Sequence, residues 1–271
     1  MFARHFALLV LIFGITIILF GCKSDTVTNS TGTTSLDTSG FTFPFKIGSS
    51  WSYTEKVTAS DIHPDSILHH FSNYPYTWLG TVTILYDTVI NNVQTRCFLE
   101  VTTDEHGTSQ SRSYMINNDT ALMIYAVRGG NNFLRPPNDL PGNSKKFNPI
   151  MNDGVDDAIY YFDPPYIYLK YPVVTGKTWV NLYGIFSDTV TKKYEGYELI
   201  NIGAGSFKCM KVSADNYLLP GSSVNDYYCK YGMLKRNQFY NDMVVTTEWF
   251  PEGIGTADLT FITTVNSFNV P

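Results

Sequence analysis

Apolar and polar residues alternate with a period of two in much of the chain after residue 41. Such alternation places successive side chains on opposite faces of a β-strand. It is clearest in three stretches: Trp51–Val57, Thr77–Thr88 and Val93–Val101. The composition agrees, because 15% of the residues are aromatic and only 16% are charged, which suits pleated, half-buried surfaces. We expect an all-β protein built from a curved antiparallel sheet, as an open barrel or a sandwich.

The second and third of these stretches predict a hairpin. Asn91-Asn92 separates them, and asparagine tolerates the positive φ angles of tight turns. Alternation predicts that Ile84 and Tyr86 lie on the same face of the first strand. It predicts that Cys97 faces inward from the returning strand, and that Glu100 faces outward.

The spacing Pro-x-x-x-Gly-x-x-Trp occurs twice, at Pro44–Trp51 and at Pro172–Trp179. A cysteine-bearing strand follows in each case. We therefore interpret the folded part as two related β halves, 41–170 and 171–271, with chance similarity between β segments as the alternative.

The N-terminus has the pattern of an export signal. Arg4 precedes an apolar run of roughly 15 residues, at the upper limit for a signal peptide and short for a membrane span. The run ends in Leu19-Phe20-Gly21-Cys22, which resembles the lipobox of bacterial lipoproteins. The resemblance implies a signal peptide over residues 1–21 and a diacylated N-terminal Cys22. An uncleaved membrane anchor is the alternative.

Residues 22–40 are rich in Ser, Thr, Gly and Asp and contain almost no large apolar residue. Such a segment cannot bury enough apolar surface to offset its ordering entropy, so we expect a flexible tether. The body should then lie outside the cytoplasm and be held to a membrane through Cys22, with the outer membrane favoured over the inner.

The charge pattern argues against nucleic-acid binding. The formal net charge is −5, and the Lys and Arg residues are scattered rather than interleaved with aromatics in a basic patch.

One aromatic-rich segment is a candidate ligand surface. Five aromatic residues surround Pro164-Pro165: Tyr160, Tyr161, Phe162, Tyr166 and Tyr168. They could stack on a sugar, lipid or peptide. The alternative is that one face of this strand is core and the other is a tyrosine-rich sheet surface.

Besides Cys22, the chain has three cysteines, which cannot all pair with one another. Outside the cytoplasm a Cys209–Cys229 disulfide is possible, because the strands that carry them are close in sequence. The alternative is that Cys97, Cys209 and Cys229 are small buried apolar residues.

Two polar clusters could in principle bind a metal ion. One holds Asp61, His63, Asp65, His69 and His70, and the other holds Asp153, Asp156 and Asp157. Neither has the spacing of a known zinc or calcium loop, so we interpret both as solvated and predict no metal or cofactor.

Catalytic motifs are also missing from the sequence. There is no Gly-x-Ser-x-Gly elbow and no phosphate-binding glycine loop, and nothing singles out a pair of carboxylates. We expect that the protein is not an enzyme.

Four short motifs resemble a group of uncharacterised bacterial surface lipoproteins: Phe43–Tyr53, Gly176–Trp179, Glu198–Val212 and Trp249–Gly255. The resemblance implies a lipid-anchored envelope protein with a curved antiparallel sheet. We expect it to bind an apolar ligand or an envelope protein. A structural or assembly lipoprotein without a small ligand is one alternative, and a hydrolase of envelope polymer is another.

Overall fold

The structure is a computed structural model that describes residues 40–104, 107–129, 146–147, 159–183, 188–216, 221–245 and 253–271. The predicted signal peptide, Cys22, nearly all of the tether and Asp153, Asp156 and Asp157 lie outside these residues. The chain from Ser39 to Pro271 forms one compact unit.

The described residues form thirteen strands and one 3-10 helix. The strands are β1 (Ser50–His63), β2 (Tyr76–Ile90), β3 (Val93–Asp104), β4 (Gly107–Asn117), β5 (Ala121–Gly129), β6 (Lys146–Phe147), β7 (Ile159–Lys170), β8 (Thr178–Tyr183), β9 (Asp188–Ile202), β10 (Gly205–Asn216), β11 (Ser223–Cys229), β12 (Gly232–Val245) and β13 (Gly255–Asn269). The 3-10 helix, Asp65–Phe71, lies between β1 and β2. No helix within the described ranges is long and apolar enough to span a membrane.

Twelve strands pair in one antiparallel path, in the order β7-β5-β4-β3-β2-β1-β13-β12-β11-β10-β9-β8. The short β6 pairs with β12 in parallel. The path curls until its end strands, β7 and β8, lie beside each other, so the sheet is nearly closed into a barrel. The predicted all-β fold and curved antiparallel sheet are confirmed.

Side chains bridge the seam between the two end strands. Trp179 Nε1 on β8 donates to the Ile167 carbonyl oxygen of β7 at 3.2 Å. The Tyr194 hydroxyl on β9 donates to the Lys170 carbonyl oxygen at 2.9 Å and accepts from the Lys170 N–H at 3.0 Å. Backbone groups at the edge of β7 are therefore satisfied by side chains, as buried polar groups require.

The predicted hairpin is present as β2 and β3, and Asn91 and Asn92 have φ angles of 48° and 63°. The predicted faces are partly wrong. A bulge between Ile84 and Tyr86 shifts the register, so Ile84 is fully buried while Tyr86 is 47% exposed. An extra residue in one strand moves all later side chains to the opposite face. For the same reason Glu100, expected outside, is 3% exposed.

The two Pro-x-x-x-Gly-x-x-Trp segments form the same local structure. Gly48 and Gly176 have φ angles of 88° and 83°, which glycine adopts without steric cost. Gly48 N–H donates to the Ile84 carbonyl oxygen at 2.9 Å, and Gly176 N–H donates to the Tyr194 carbonyl oxygen at 2.7 Å.

Ile84 and Tyr194, which accept these bonds, also make matching bonds of their own. Ile84 N–H returns a bond to the Ser49 carbonyl oxygen, as Tyr194 N–H does to the Lys177 carbonyl oxygen. A bulge follows directly after each of the two, in β2 and in β9. This agreement is what an internal duplication would produce; the boundary of the halves at residue 170 stays a prediction.

The antiparallel path gives the barrel two different ends. β1 begins and β13 ends at one of them, where the chain enters the described body and Gly40 lies against Val173. We call it the tether end. Its strand connections are short, such as residues 91–92 and 171–177. The opposite or distal end receives longer connections, such as residues 64–75 and 130–158.

Candidate functional site

The interior of the barrel is filled by large side chains. One core cluster takes members from nearly every strand of the path. Seven of its larger side chains and charged neighbours are at most 1% exposed: Tyr53, Phe98, Tyr166, Tyr168, Lys192, Tyr194 and Tyr228. A ligand-sized space beside these residues would leave part of their surface accessible. They therefore form a packed core in this state.

Three of the charged residues buried in the barrel come from neighbouring strands on one side: Lys192 on β9, Asp226 on β11 and Arg236 on β12. Arg236 and Asp226 form a bidentate ion pair, with Nε–Oδ1 at 2.6 Å and Nη2–Oδ2 at 2.9 Å. The Tyr228 hydroxyl also donates to Asp226 Oδ2, at 3.2 Å. This geometry satisfies the carboxylate from two sides, as a buried ion pair requires.

Arg236 also joins opposite walls of the barrel. Its Nη2 is hydrogen-bonded to the hydroxyl of Tyr168, which belongs to the end strand β7. The Tyr168 ring lies edge-on to Tyr228, with centroids 6.1 Å apart. Because β7 is far from β11 and β12 along the path, these contacts cross the interior.

Lys192 lies under the seam. Its Nζ is 5.0 Å from the Tyr166 ring centroid and 4.5 Å from that of Tyr168, and it donates to the Tyr168 carbonyl oxygen at 3.4 Å. Burial lowers the pKa of Lys192 to about 7, while Asp226 opposes the shift and Arg236 adds to it. A partly neutral amine can act as a nucleophile or base, but this one is fully buried.

A second polar group spans β1, β3 and β4. The Tyr53 hydroxyl donates to Glu100 Oε1, and Ser111 Oγ donates to Glu100 Oε2 at 3.3 Å. Glu100 is thus hydrogen-bonded on both oxygens inside the barrel. The arrangement is typical of a satisfied core carboxylate.

The five aromatic residues predicted as a ligand surface do not share one. Tyr166 and Tyr168 are 1% and 0% exposed, inside the barrel. Tyr160 and Tyr161 are about half exposed, and Phe162 packs against Tyr166 with ring centroids 6.4 Å apart. Tyr160 and Tyr161 alone are placed to contact a ligand in this state. A ligand role for them stays a prediction.

Cys97, Cys209 and Cys229 are buried free thiols in this structure. Cys209 and Cys229 are in contact, because Met210 pairs with Tyr228 and places the two cysteines opposite each other. A hydrogen bond to the Cys229 sulfur and burial raise the pKa of Cys209. The bond lowers the pKa of Cys229, which accepts it. The proposed disulfide stays a prediction, now with both partners in place.

The histidine-rich segment at the distal end does not converge on one point. His63 Nε2 is 2.9 Å from Asp61 Oδ1, while His69 and His70 stack on each other with ring centroids 3.9 Å apart.

A different acidic group does come together at the distal end, within the described part of the chain. Side-chain oxygens of Asp61, Asp242 and Asp258 lie within 4.8 Å of one another. Asp61 and Asp242 have φ angles of 47° and 51°, in irregular positions of β1 and β12 on either side of β13. The sequence analysis missed this cluster, because Asp61 is far in sequence from Asp242 and Asp258 and the chain order does not reveal that β1 pairs with β13.

The buried charges were missed as well, although the sequence carries a signal for them. Lys192 lies between Val190 and Tyr194 in the alternation of β9, and both neighbours are fully buried. Asp226 lies in the same way between Val224 and Tyr228. A charged residue flanked at both i−2 and i+2 by inward apolar residues is on the inward face.

No protein-family model and no curated protein matches the chain. Among solved structures, it is similar to a provisionally assigned lipoprotein from Parabacteroides distasonis, with a TM-score of 0.32 and 10% identity. It is also similar to a provisionally assigned exported protein with a YmcC-like fold from Bacteroides fragilis, with a TM-score of 0.33 and 12% identity. Each match covers 85% of this chain and 99% of the other. Similarity this distant assigns neither a family nor a function to the chain.

Proposed function

We propose that the protein is a lipid-anchored cell-envelope protein that binds another envelope protein through its outer surface and catalyses no reaction. The anchor is proposed from the sequence Leu19–Cys22, and the tether of residues 22–40 would hold the body near the membrane. The outer membrane is the favoured location.

The packed interior of the barrel is the reason for proposing a protein partner instead of an apolar ligand. An apolar ligand inside the barrel would have to displace residues such as Tyr166, Tyr168 and Tyr194, which are at most 1% exposed and make hydrogen bonds or cation–π contacts. Displacing them would also strip Lys192 and Arg236 of their partners, at a cost of several kcal/mol. The outer surface is therefore the better candidate for binding.

The absence of catalysis is proposed on the same ground. Burial lowers the pKa of Lys192 to about 7, but this lysine is fully buried beneath the seam. A general base or nucleophile must reach the proton or atom on which it acts. In this state Lys192 cannot reach a substrate.

The anchor can be tested by expressing the full chain in a bacterium and measuring the mass of its N-terminal peptide. We expect a peptide beginning at Cys22 with acyl groups attached, and a soluble or unprocessed protein for Cys22→Ala. An unmodified N-terminus in the wild type would overturn the anchor.

The partner can be tested by placing a photo-crosslinking residue at exposed apolar positions in intact cells. Leu68, Leu79 and Tyr160 are suitable, since each is at least 50% exposed. We expect at least one discrete protein adduct. Lipid bound at one-to-one stoichiometry in native mass spectra, with no protein adduct, would favour the apolar-ligand alternative instead.

A further inference from the structure

The two most exposed large apolar side chains in the described chain are Leu199 and Val89, at 69% and 60%. Both lie at the tether end, on the hairpins β9–β10 and β2–β3. These hairpins extend past their neighbouring strands, because β1 begins opposite Thr83 and β8 begins opposite Lys193. Single exposed apolar residues are ordinary, so their placement matters more than their exposure.

Val89 and Leu199 occupy the same position in the two halves. Val89 lies five residues after Ile84, and Leu199 lies five residues after Tyr194. Ile84 and Tyr194 are the two residues held by the repeated glycine turns, each followed by a bulge. Both halves therefore present an aliphatic side chain from the equivalent site of a projecting hairpin.

The repeated turns add two more exposed aliphatic residues at the same end. Ile47 is 45% exposed in the turn before β1, and Val174 is 52% exposed in the turn before β8. The tether end thus carries four exposed aliphatic side chains from four separate segments: Ile47, Val89, Val174 and Leu199.

Basic residues accompany these aliphatic ones. We count residues 40–49, the hairpins beyond their bulges (86–97 and 196–211) and the connections 118–120, 171–177 and 230–231. They hold six basic residues, Lys46, Arg96, Lys177, Lys208, Lys211 and Lys230, against three acidic ones, Asp87, Asp119 and Glu198. Asp87 is paired with Arg96, and Glu198 with Lys211.

The distal end has the opposite charge. Its described connections and the strand ends beside them hold seven aspartates, Asp61, Asp65, Asp104, Asp188, Asp215, Asp242 and Asp258, against Arg128 and Lys146. The body, whose chain has a formal net charge of −5, is therefore polarised along the barrel axis, with the tether end positive. An anionic surface would attract that end and repel the other.

Two of these lysines lie beside tyrosine rings, an arrangement typical of membrane interfaces. Lys208 Nζ is 5.1 Å from the Tyr197 ring centroid, and Lys230 Nζ is 5.0 Å from that of Tyr231. Both lysines are exposed, and both tyrosines are partly buried. Aromatic rings with lysine side chains alongside are enriched at the level of lipid headgroups.

We infer that the tether end docks on an anionic lipid bilayer, with Val89 and Leu199 entering the headgroup region and the lysines facing lipid phosphates. The chain enters the body at this end, and the 18 residues from Cys22 to Ser39 reach at most about 60 Å. The inference rests on the proposed lipid anchor only for keeping the body close to the membrane. It leaves the distal end facing away from the bilayer.

The binding test uses the compact unit of residues 39–271, which contains the whole sheet and its core and does not need Cys22. We expect it to co-sediment with vesicles of phosphatidylcholine mixed with phosphatidylglycerol, and to bind much less to phosphatidylcholine alone or in high salt. Lys46→Ala with Lys230→Ala should weaken binding by roughly 30-fold, at about 1 kcal/mol per lysine.

The apolar contribution has a matched control. Val89→Ser with Leu199→Ser should weaken binding several-fold, whereas Leu79→Ser, which removes a similarly exposed side chain from the part of β2 nearer the distal end, should not. Thermal melts would show that all variants are folded. Equal binding to both vesicle types, or equal loss in the Leu79→Ser control, would overturn the inference.

Orientation can be read on the full acylated chain in the same anionic vesicles. A fluorophore on Leu199→Cys should be shielded from a soluble quencher, and one on Leu68→Cys at the distal end should stay accessible. Equal accessibility would overturn the docking orientation. Absence of acyl groups from the full chain would count against the anchor alone, because the binding of the unit is measured without it.

Discussion

The burial of Lys192 predicts a pH dependence of stability that one substitution should remove. The pKa of this lysine is about 7 in the folded chain, against an ordinary value of 10.5. Between these two values the unfolded chain binds more protons than the folded chain. The free energy of unfolding should therefore rise with pH across this window.

The size of the effect follows from the shift. One pKa unit corresponds to about 1.4 kcal/mol, so the free energy of unfolding should increase by about 2 kcal/mol between pH 7 and pH 8.5 from this group alone. Lys192→Met keeps a long apolar side chain beside Tyr166 and Tyr168 and has no proton to lose. Its free energy of unfolding should lack this increase.

The assay is urea unfolding of the 39–271 unit, followed by tryptophan fluorescence at several pH values. Comparing variant with wild type cancels the titration of the tyrosines and cysteines. Lys193→Met is the matched control, because its side chain is 47% exposed and paired with Glu195 at the surface. The reasoning is refuted if wild type and Lys192→Met show the same pH dependence, or if Lys193→Met loses it too.

Three further results can be measured with the same unfolding assay or by mass spectrometry. Gly80→Ala would place a Cβ 2.1 Å from a tyrosine ring and should cost about 3 kcal/mol, while Gly203→Ala, whose nearest neighbour would be 3.7 Å away, should change little. Gly48→Ala and Gly176→Ala should each cost about 1 kcal/mol because of their positive φ, and clearly unequal costs would argue against the equivalence of the two turns. A Cys209–Cys229 disulfide should lower the mass of the protein recovered from the envelope by that of two hydrogens, and the Cys229→Ser variant should show no such loss. Equal numbers of free thiols before and after export would contradict this.

The alternation of residues was enough to predict the fold class and the β2–β3 hairpin, because a period of two and an Asn-Asn turn are local signals. It failed at the bulge after Ile84. A bulge adds one residue to one strand without leaving a mark in composition, and every later inward assignment is then reversed. Glu100 was placed outside for this reason alone.

The candidate sites depended on contacts that the sequence does not specify. Tyr160 and Tyr168 are close in sequence, but Tyr160 is half exposed while Tyr168 is fully buried. The Arg236–Tyr168 contact requires the curvature of the whole sheet. The positive tether end could not be predicted either, since its lysines are scattered along the sequence and come together only when alternate connections meet at one end.

The pairing of β1 with β13 has a consequence for how the chain reaches this structure. Ser52 and Ser267, whose hydroxyls are 2.7 Å apart, are 215 residues apart in sequence. The first strand acquires one of its two neighbours only when the last strand is available, so the barrel cannot be completed on a partly synthesised or partly translocated chain. Contacts of such long range slow folding and leave strand edges exposed in the meantime. Until β13 is available, this edge of β1 therefore has no strand to pair with.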